Sequence, residues 1–318
     1  MAKVVSFGET MIRLSTIRQE RIEQSQYLEF RSAGAESNFC LGCTRMGVET
    51  VWVSKLTNNA LGKSIVNNLN RYGVNTSIVW TNKYRVGTYY IEYGAFPRNT
   101  QVIYDRNGSA VRYIESSEID WKVLENADLI HLTGITLALG ENTKAVMMDF
   151  IEEAKKRNIK LSFDVNYRSK LWSPERACKE ISQVLKLGFD YLFVSLKDAE
   201  TLFKVKGTNK EIVTWLKGKF KSNLVVLTLG AKGAMAFDGD KIYEESTKTS
   251  DTVDPIGSGD AFDAGFVSSL MKGNNIEKSL KIGNSLAALK RTIIGDEPIF
   301  NYEEVLNITN INNKGIER

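Results

Sequence analysis

Residues 254–262 read Asp-Pro-Ile-Gly-Ser-Gly-Asp-Ala-Phe, and the letters that follow, DAGFVSSLM, have the apolar spacing of a helix. Gly257 and Gly259 flank Ser258, so consecutive backbone N–H groups can converge where that helix begins. Such a turn, reinforced by the partial positive charge of the helix start, holds an anion. Asp260 follows directly. As a helix cap it contributes about 1 kcal/mol. As a general base it accepts a proton from a hydroxyl while the amides of Gly257, Ser258 and Gly259 hold the charge that develops on a phosphoryl group. Spacing alone leaves both readings open.

Three further partial motifs can be read, one of them within the same stretch. Gly62-Lys63-Ser64 ends like a phosphate-binding loop, but Thr57 stands where that loop needs its first glycine. A dinucleotide fingerprint beginning at Gly257 fails because Phe262 occupies the third glycine position, which removes the main support for an oxidoreductase. Cys40 and Cys43 form a CxxC, yet only Cys178 and the single His131 remain as partners, too few for a convincing zinc site. The thiols read as small apolar residues packed inside a helix, and His131, in the apolar run ADLIHLTGI, as an interior residue.

The elements that must position the 254–262 turn are legible from about residue 120 onward. ADLIHLTGI, IKLSFDV and DYLFVS are β-rich runs, each followed by a helically spaced segment, and NLVVLTLG and GAMAFDG precede the helix after the turn and another at 276–293. Alternation of this kind predicts a mostly parallel sheet covered on both faces, with the ligand crevice beyond the carboxyl ends of its strands. The first hundred residues differ: segments near 10–30 and 84–106 form short strands without intervening helices, a small β layer that acts as a lid within one domain spanning 1–318. With 318 residues, 42% hydrophobic and 25% charged, the chain can bury a large core. The formal charge of +4 is small and interleaved, so no nucleic-acid partner is implied. Neither a leader-like N-terminus nor a run of 18 apolar residues is present, so no membrane association and a cytoplasmic location are expected.

The stretch DPIGSGDAFDAGF resembles the second signature of the ribokinase (PfkB) family of carbohydrate kinases, AGAESNFCLGCTRMG the first, and VLTLGAKGAMAF its nucleotide-binding strand pair. The resemblance implies a ribokinase-like three-layer α/β sandwich with a small β-sheet lid. It implies that Asp260 is the base and that Gly257, Ser258 and Gly259 form an anion hole. ATP would lie over Thr228, Gly230 and Gly233, with Asn284 near the adenine and Asn166 and Ser195 also on the nucleotide side. The alternative for LGAKG is a plain hairpin turn. The family's Asn-x-x-Glu element appears here as Ser195-Leu196-Lys197-Asp198, so Mg²⁺ is expected to arrive with ATP rather than in a dedicated protein cage.

Tyr104 and Arg106 are two apart on an expected strand and so share a face, and Arg168 follows the strand LSFDVN at its carboxyl end. Two guanidinium groups suit a carboxylate better than a neutral hexose. Within the family these residues, with Gly34, Tyr89 and Asp296, resemble those of 2-keto-3-deoxygluconate kinases, which implies phosphorylation of the terminal C6 hydroxyl of that sugar acid, and of its galactonate epimer, in an Entner-Doudoroff type pathway. A kinase for a neutral ketose such as fructose and a non-catalytic sugar-acid sensor are the alternatives. The resemblance also implies a homo-oligomer, a dimer or an assembly of dimers.

Overall fold

A computed structural model of the chain describes residues 2–17, 19–248 and 251–310. Its strands are β1 (Lys3–Phe7), β2 (Met11–Thr16), β3 (Leu28–Ala33), β4 (Glu49–Thr57), β5 (Asn75–Thr81), β6 (Thr88–Glu92), β7 (Gln101–Asp105), β8 (Leu129–Thr133), β9 (Lys160–Asp164), β10 (Tyr191–Ser195), β11 (Leu224–Thr228), β12 (Ala234–Phe237) and β13 (Ile242–Glu245). Nine of them form one sheet in the order β13-β12-β11-β10-β9-β8-β1-β4-β5. All neighbours from β11 to β5 run parallel, and β12 and β13 are antiparallel additions at one edge.

The central strands are continuous apolar runs because both their faces are covered. Val5, Phe7, Ile130 and Leu132 pack with Phe150 and Ile151 of the helix Glu141–Arg157 on one side. Val4, Trp52, Leu129 and Phe193 pack on the other with Phe39 of the helix Ala35–Arg45 and Phe266 of the helix Ser258–Met271. The three-layer α/β architecture read from the sequence is the one that forms. Edge elements that the periodicity did not single out, β5 and β13, are short or half-buried and show no clear alternation of buried and exposed positions.

The second sheet has the order β3-β2-β6-β7 and draws on the two segments expected to form the lid. It is mixed, since β2 pairs with β6 in parallel. Alternation along these strands turns Met11, Ala33, Tyr89 and Ile91 toward Ile256 of the 254–262 turn. Leu14, Phe30, Tyr90 and Ile103 are paired in register across the opposite face.

Cys40 and Cys43 are free, buried thiols inside their helix, and burial pushes Cys43 up to about 12. His131 stacks on Phe39 with ring centroids 3.8 Å apart and sits 3.0 Å from the Ser162 hydroxyl. Burial pulls it down to about 3, so it is a neutral core residue. Among the described residues no helix is long and apolar enough to cross a membrane.

Candidate functional site

A cleft of about 700 Å³ opens where β1, β9, β10 and β11 end, bringing Glu9, Asp164, Ser195 and Thr228 to one rim as strand-end positions in a parallel sheet should be. It continues into a second hollow of about 520 Å³. Ser195, Lys197, Thr228, Ser258 and Gly259 line both, so the start of the helix Ser258–Met271 stands between the two compartments.

Gly257 occupies the cap position of that helix with φ +83°, a left-handed conformation that favours glycine. A Cβ there would lie 2.1 Å from the Asp296 carbonyl oxygen. No side chain caps the helix. The Ser258 amide and hydroxyl both donate to the Pro255 carbonyl, at 3.3 and 2.8 Å, so this amide is not free for an anion as the sequence reading held. The amides of Gly257, Gly259 and Asp260 have no acceptor among the described residues, so Asp260 takes the third place in the cradle with its own N–H.

The Asp260 side chain turns away from the helix amides, which rules it out as a cap. Asn38 Nδ2 donates to its Oδ2 at 2.8 Å, and Asn166, held at φ +40°, also hydrogen-bonds it. Burial pushes the carboxyl up to about 6, opposed by the Asn38 bond and the charge of Arg168. A base so placed is ionised at neutral pH and still basic enough to take a proton. Behind it, Asp164 is pushed up to about 8 by burial and by the charges of Asp260 and Asp198. Asp263, hydrogen-bonded to Asp164, is raised by burial as well, so this pair retains a proton and adds little negative charge beside Asp260.

On the lid side, Tyr104 and Arg106 face the same compartment as Asp260, as their spacing predicted, and Arg168 joins them from the end of β9. Arg106 is buried, and its Nε donates to Glu9 Oε2 at 2.8 Å with Nη2 on the same oxygen. Its ring-side neighbour is Tyr104, 5.6 Å from the guanidinium carbon. Arg168 is exposed to the cleft, and its guanidinium makes no hydrogen bond or ion pair among the described residues. Gly34 permits a close approach, since a Cβ would lie 2.1 Å from the Glu9 carbonyl oxygen. Tyr89 donates to Asp296 Oδ2 at 2.9 Å, and Arg13 takes Oδ1, so this carboxylate reaches the cleft with both oxygens engaged. Glu9, Arg13 and Asn38 are the participants that sequence reasoning missed. Glu9 alone carried a signal, as a carboxylate just past the apolar strand VVSFGE.

The second compartment is lined by Thr228, Gly230, Gly233 and Asn284. LGAKG is both things it could have been: a hairpin turn, closed by Leu229 N–H on the Gly233 carbonyl at 2.8 Å, and part of the pocket wall. Gly233 has φ +102°, and a Cβ would meet the Glu245 carbonyl oxygen at 2.1 Å. Asn284 is buried and donates to that same carbonyl at 3.0 Å. The Ser195 hydroxyl accepts from the Asp198 amide at 3.0 Å and so caps its helix. The Asp198 carboxylate accepts from the Tyr167 amide at 3.3 Å and is also hydrogen-bonded by Ser195. Among the described residues no group of three or more His, Cys, Asp or Glu could hold a metal ion.

The model of the pfkB family carbohydrate kinases matches residues 1–298. The chain is 39% identical over 317 residues to a 2-dehydro-3-deoxygalactonokinase of Haloferax volcanii, spanning 100% of this chain and 99% of that protein. It is 29% identical to a 2-dehydro-3-deoxygluconokinase of Thermoproteus tenax, over 93% of this chain and 90% of that one. Among solved structures, the 2-dehydro-3-deoxygluconokinase of Thermotoga maritima superposes with a TM-score of 0.91 at 30% identity, covering 97% of this chain and 98% of that one.

Proposed function

The chain belongs to the pfkB family of carbohydrate kinases, and from that membership we propose that it transfers the γ-phosphoryl group of ATP to the C6 hydroxyl of 2-keto-3-deoxygluconate and of its galactonate epimer. Asp260 takes the hydroxyl proton as the new O–P bond forms and the bond to the leaving diphosphate breaks. The amides of Gly257, Gly259 and Asp260 hold the charge on the moving group, so positioning and electrostatics do most of the work. Thr228, Gly230, Gly233 and Asn284 bind ATP from the second compartment. Mg²⁺ carried in with ATP would supply further charge neutralisation on the phosphates; Asp198, a carboxylate lining the first compartment, suits contact through water.

The observation that carries the choice of a sugar acid is the pair Arg106 and Arg168 in the compartment that holds Asp260. Gly34, Tyr89, Tyr104 and Asp296 shape the rest of that end. ADP release with Mg-ATP and each of the two acids, against fructose, tests it. Turnover of both acids and little of fructose is expected; a preference for fructose overturns the carboxylate assignment. Arg106→Lys keeps a positive partner for Glu9 but loses the guanidinium fork, so the KM for the acids should rise roughly tenfold while the KM for ATP holds.

We take 1–318 as one kinase unit with the small sheet as its lid, working in the cytoplasm, where free thiols such as Cys40 and Cys43 are the norm. The outer lid row containing Phe30 and Ile103, both about half exposed, supports a homo-oligomer assembled through the lids. Sedimentation of the wild type and of Phe30→Lys checks this, with dissociation expected for the variant.

A further inference from the structure

The turn that carries the anion cradle is fastened at Asp254. Its N–H donates to the Arg291 carbonyl at 3.2 Å. One carboxylate oxygen accepts from the Ile256 amide at 3.1 Å. The other accepts from the Gly295 amide at 3.1 Å, the Tyr93 hydroxyl at 2.8 Å and the Arg13 guanidinium at 2.5 Å. The remaining group, the carbonyl, accepts from Lys290 Nζ at 2.8 Å.

Lys290 closes the helix Ile276–Lys290 and is 0% exposed. A lysine at a helix end ordinarily sends its ammonium to water, where it costs nothing. Here the ammonium is buried with a carbonyl as its one hydrogen-bond partner among the described residues, an arrangement that is expensive unless other charges compensate. The compensating charges are Asp254, Asp296 and Asp260, with Arg13 opposing. Without Lys290, Arg13 behind the turn and Arg168 on the cleft side would face three carboxylates at the place where a phosphoryl group must bring in more negative charge.

We propose that Lys290 is a positioning residue for phosphoryl transfer: its ammonium, seated on the Asp254 carbonyl, fixes the 254–257 turn and supplies the internal positive charge behind the cradle. This rests on the kinase reading given above. The geometry explains why the cradle can consist of backbone amides alone, since the cation that helps it accept a dianionic group stands one layer back. Burial draws the Lys290 ammonium down to about 8, against the pull of Asp254, Asp296 and Asp260, so the positive charge is present at neutral pH and is lost in mildly alkaline solution.

The test compares wild type with Lys290→Met, which keeps the length of the side chain without the charge, and Lys290→Ala, which opens space. Rates of ADP release with Mg-ATP and 2-keto-3-deoxygluconate, saturation curves and thermal melts are recorded for each. Lys290→Met is expected to melt cooperatively and to lose kcat roughly 10- to 100-fold, the scale found when a group that orients a site from behind is removed, with the KM for the sugar acid within about twofold. The decline of wild-type kcat above about pH 8 should vanish in this variant. Lys290→Ala should regain activity with added methylammonium but not with tetramethylammonium at equal ionic strength. Lys290→Met turning over within twofold of wild type overturns the proposal, as does a Lys290→Ala loss that follows the folded fraction and ignores methylammonium. Wild type that releases no ADP with either acid or with fructose overturns the kinase reading and this proposal together.

Discussion

The helices Ala60–Arg71 and Ser258–Met271 both begin in sequences containing glycine and serine, and their first turns are used in opposite ways. In the helix Ala60–Arg71, Asn59 Oδ1 accepts from the amides of Leu61 and Gly62 at 3.0 and 3.1 Å, so the positive helix start is satisfied from within. In the helix Ser258–Met271, Gly257 stands at the cap position with no side chain to offer, and the amides of Gly259 and Asp260 are left for the cleft. The dipole is common to both. A helix start becomes a ligand site only where the chain declines to cap it, and the cap forgone is worth about 1 kcal/mol of stability. The Gly62-Lys63-Ser64 triplet lies away from both compartments: Lys63 is exposed, and none of the three lines either one.

Replacing Asp260 by asparagine tests the difference most severely. As base, Asp260 accounts for roughly 100- to 10,000-fold in kcat, and Asp260→Asn should lose that much. Stability should move the other way. The folded carboxyl is raised to about 6, so the stability it contributes is complete below its unfolded value and is lost as pH rises through about 6. At pH 7.5 the neutral amide, still able to accept from Asn38, should melt at or above the wild-type temperature. A lower melting temperature would mean that the buried carboxylate stabilises the fold at this pH, against the direction in which burial shifts it. The same carboxyl predicts that wild-type kcat/KM climbs with pH through about 6, measurable as an acid limb in the rate profile.

Gly257→Ala comes next. The added methyl meets the Asp296 carbonyl oxygen at 2.1 Å in a backbone conformation of φ +83°, so the turn must shift. Strain of roughly 1–3 kcal/mol is expected in a chemical denaturation series, together with at least a tenfold fall in kcat as the Gly257 and Gly259 amides leave their places. Wild-type kinetics in this variant would mean that the turn is not held by its contact with Asp296.

The sequence exposes the cradle because its requirements are local: glycines where backbone must converge, and a helix behind them. It exposes the alternating strands and helices after residue 120 for a similar reason, since strands buried on both faces cannot hide their apolar runs. Arg13 shows what stays hidden. In MIRLST alternation puts Arg13 on the same face as Met11, but nothing local to the sequence says what could pair a buried guanidinium there; it is fully buried, because Asp254 and Asp296 reach it across 241 and 283 residues of chain. Lys290 is concealed in the same way, as a basic residue in a helical last turn that any surface helix could carry. The turning of the Ser258 amide onto Pro255 is a matter of degrees in a backbone angle, which no residue type announces.

The smallest effect belongs to the other helix start, and it is informative for being small. Asn59→Ala frees the amides of Leu61 and Gly62 at a surface position, so unfolding should become easier by about 1 kcal/mol, seen as a lower denaturation midpoint with unchanged slope. Neither Asn59 nor the residues it caps line the cleft, so kcat and both KM values should stay within about twofold of wild type. Uncapping alone does not make a site: the freed amides of Leu61 and Gly62 line neither compartment of the cleft. If Asn59→Ala impaired turnover instead, the helix Ala60–Arg71 would have to act through the lid, against which Asn68 bonds Ser32 at 3.0 Å, and the two helix starts would be parts of one device rather than opposites.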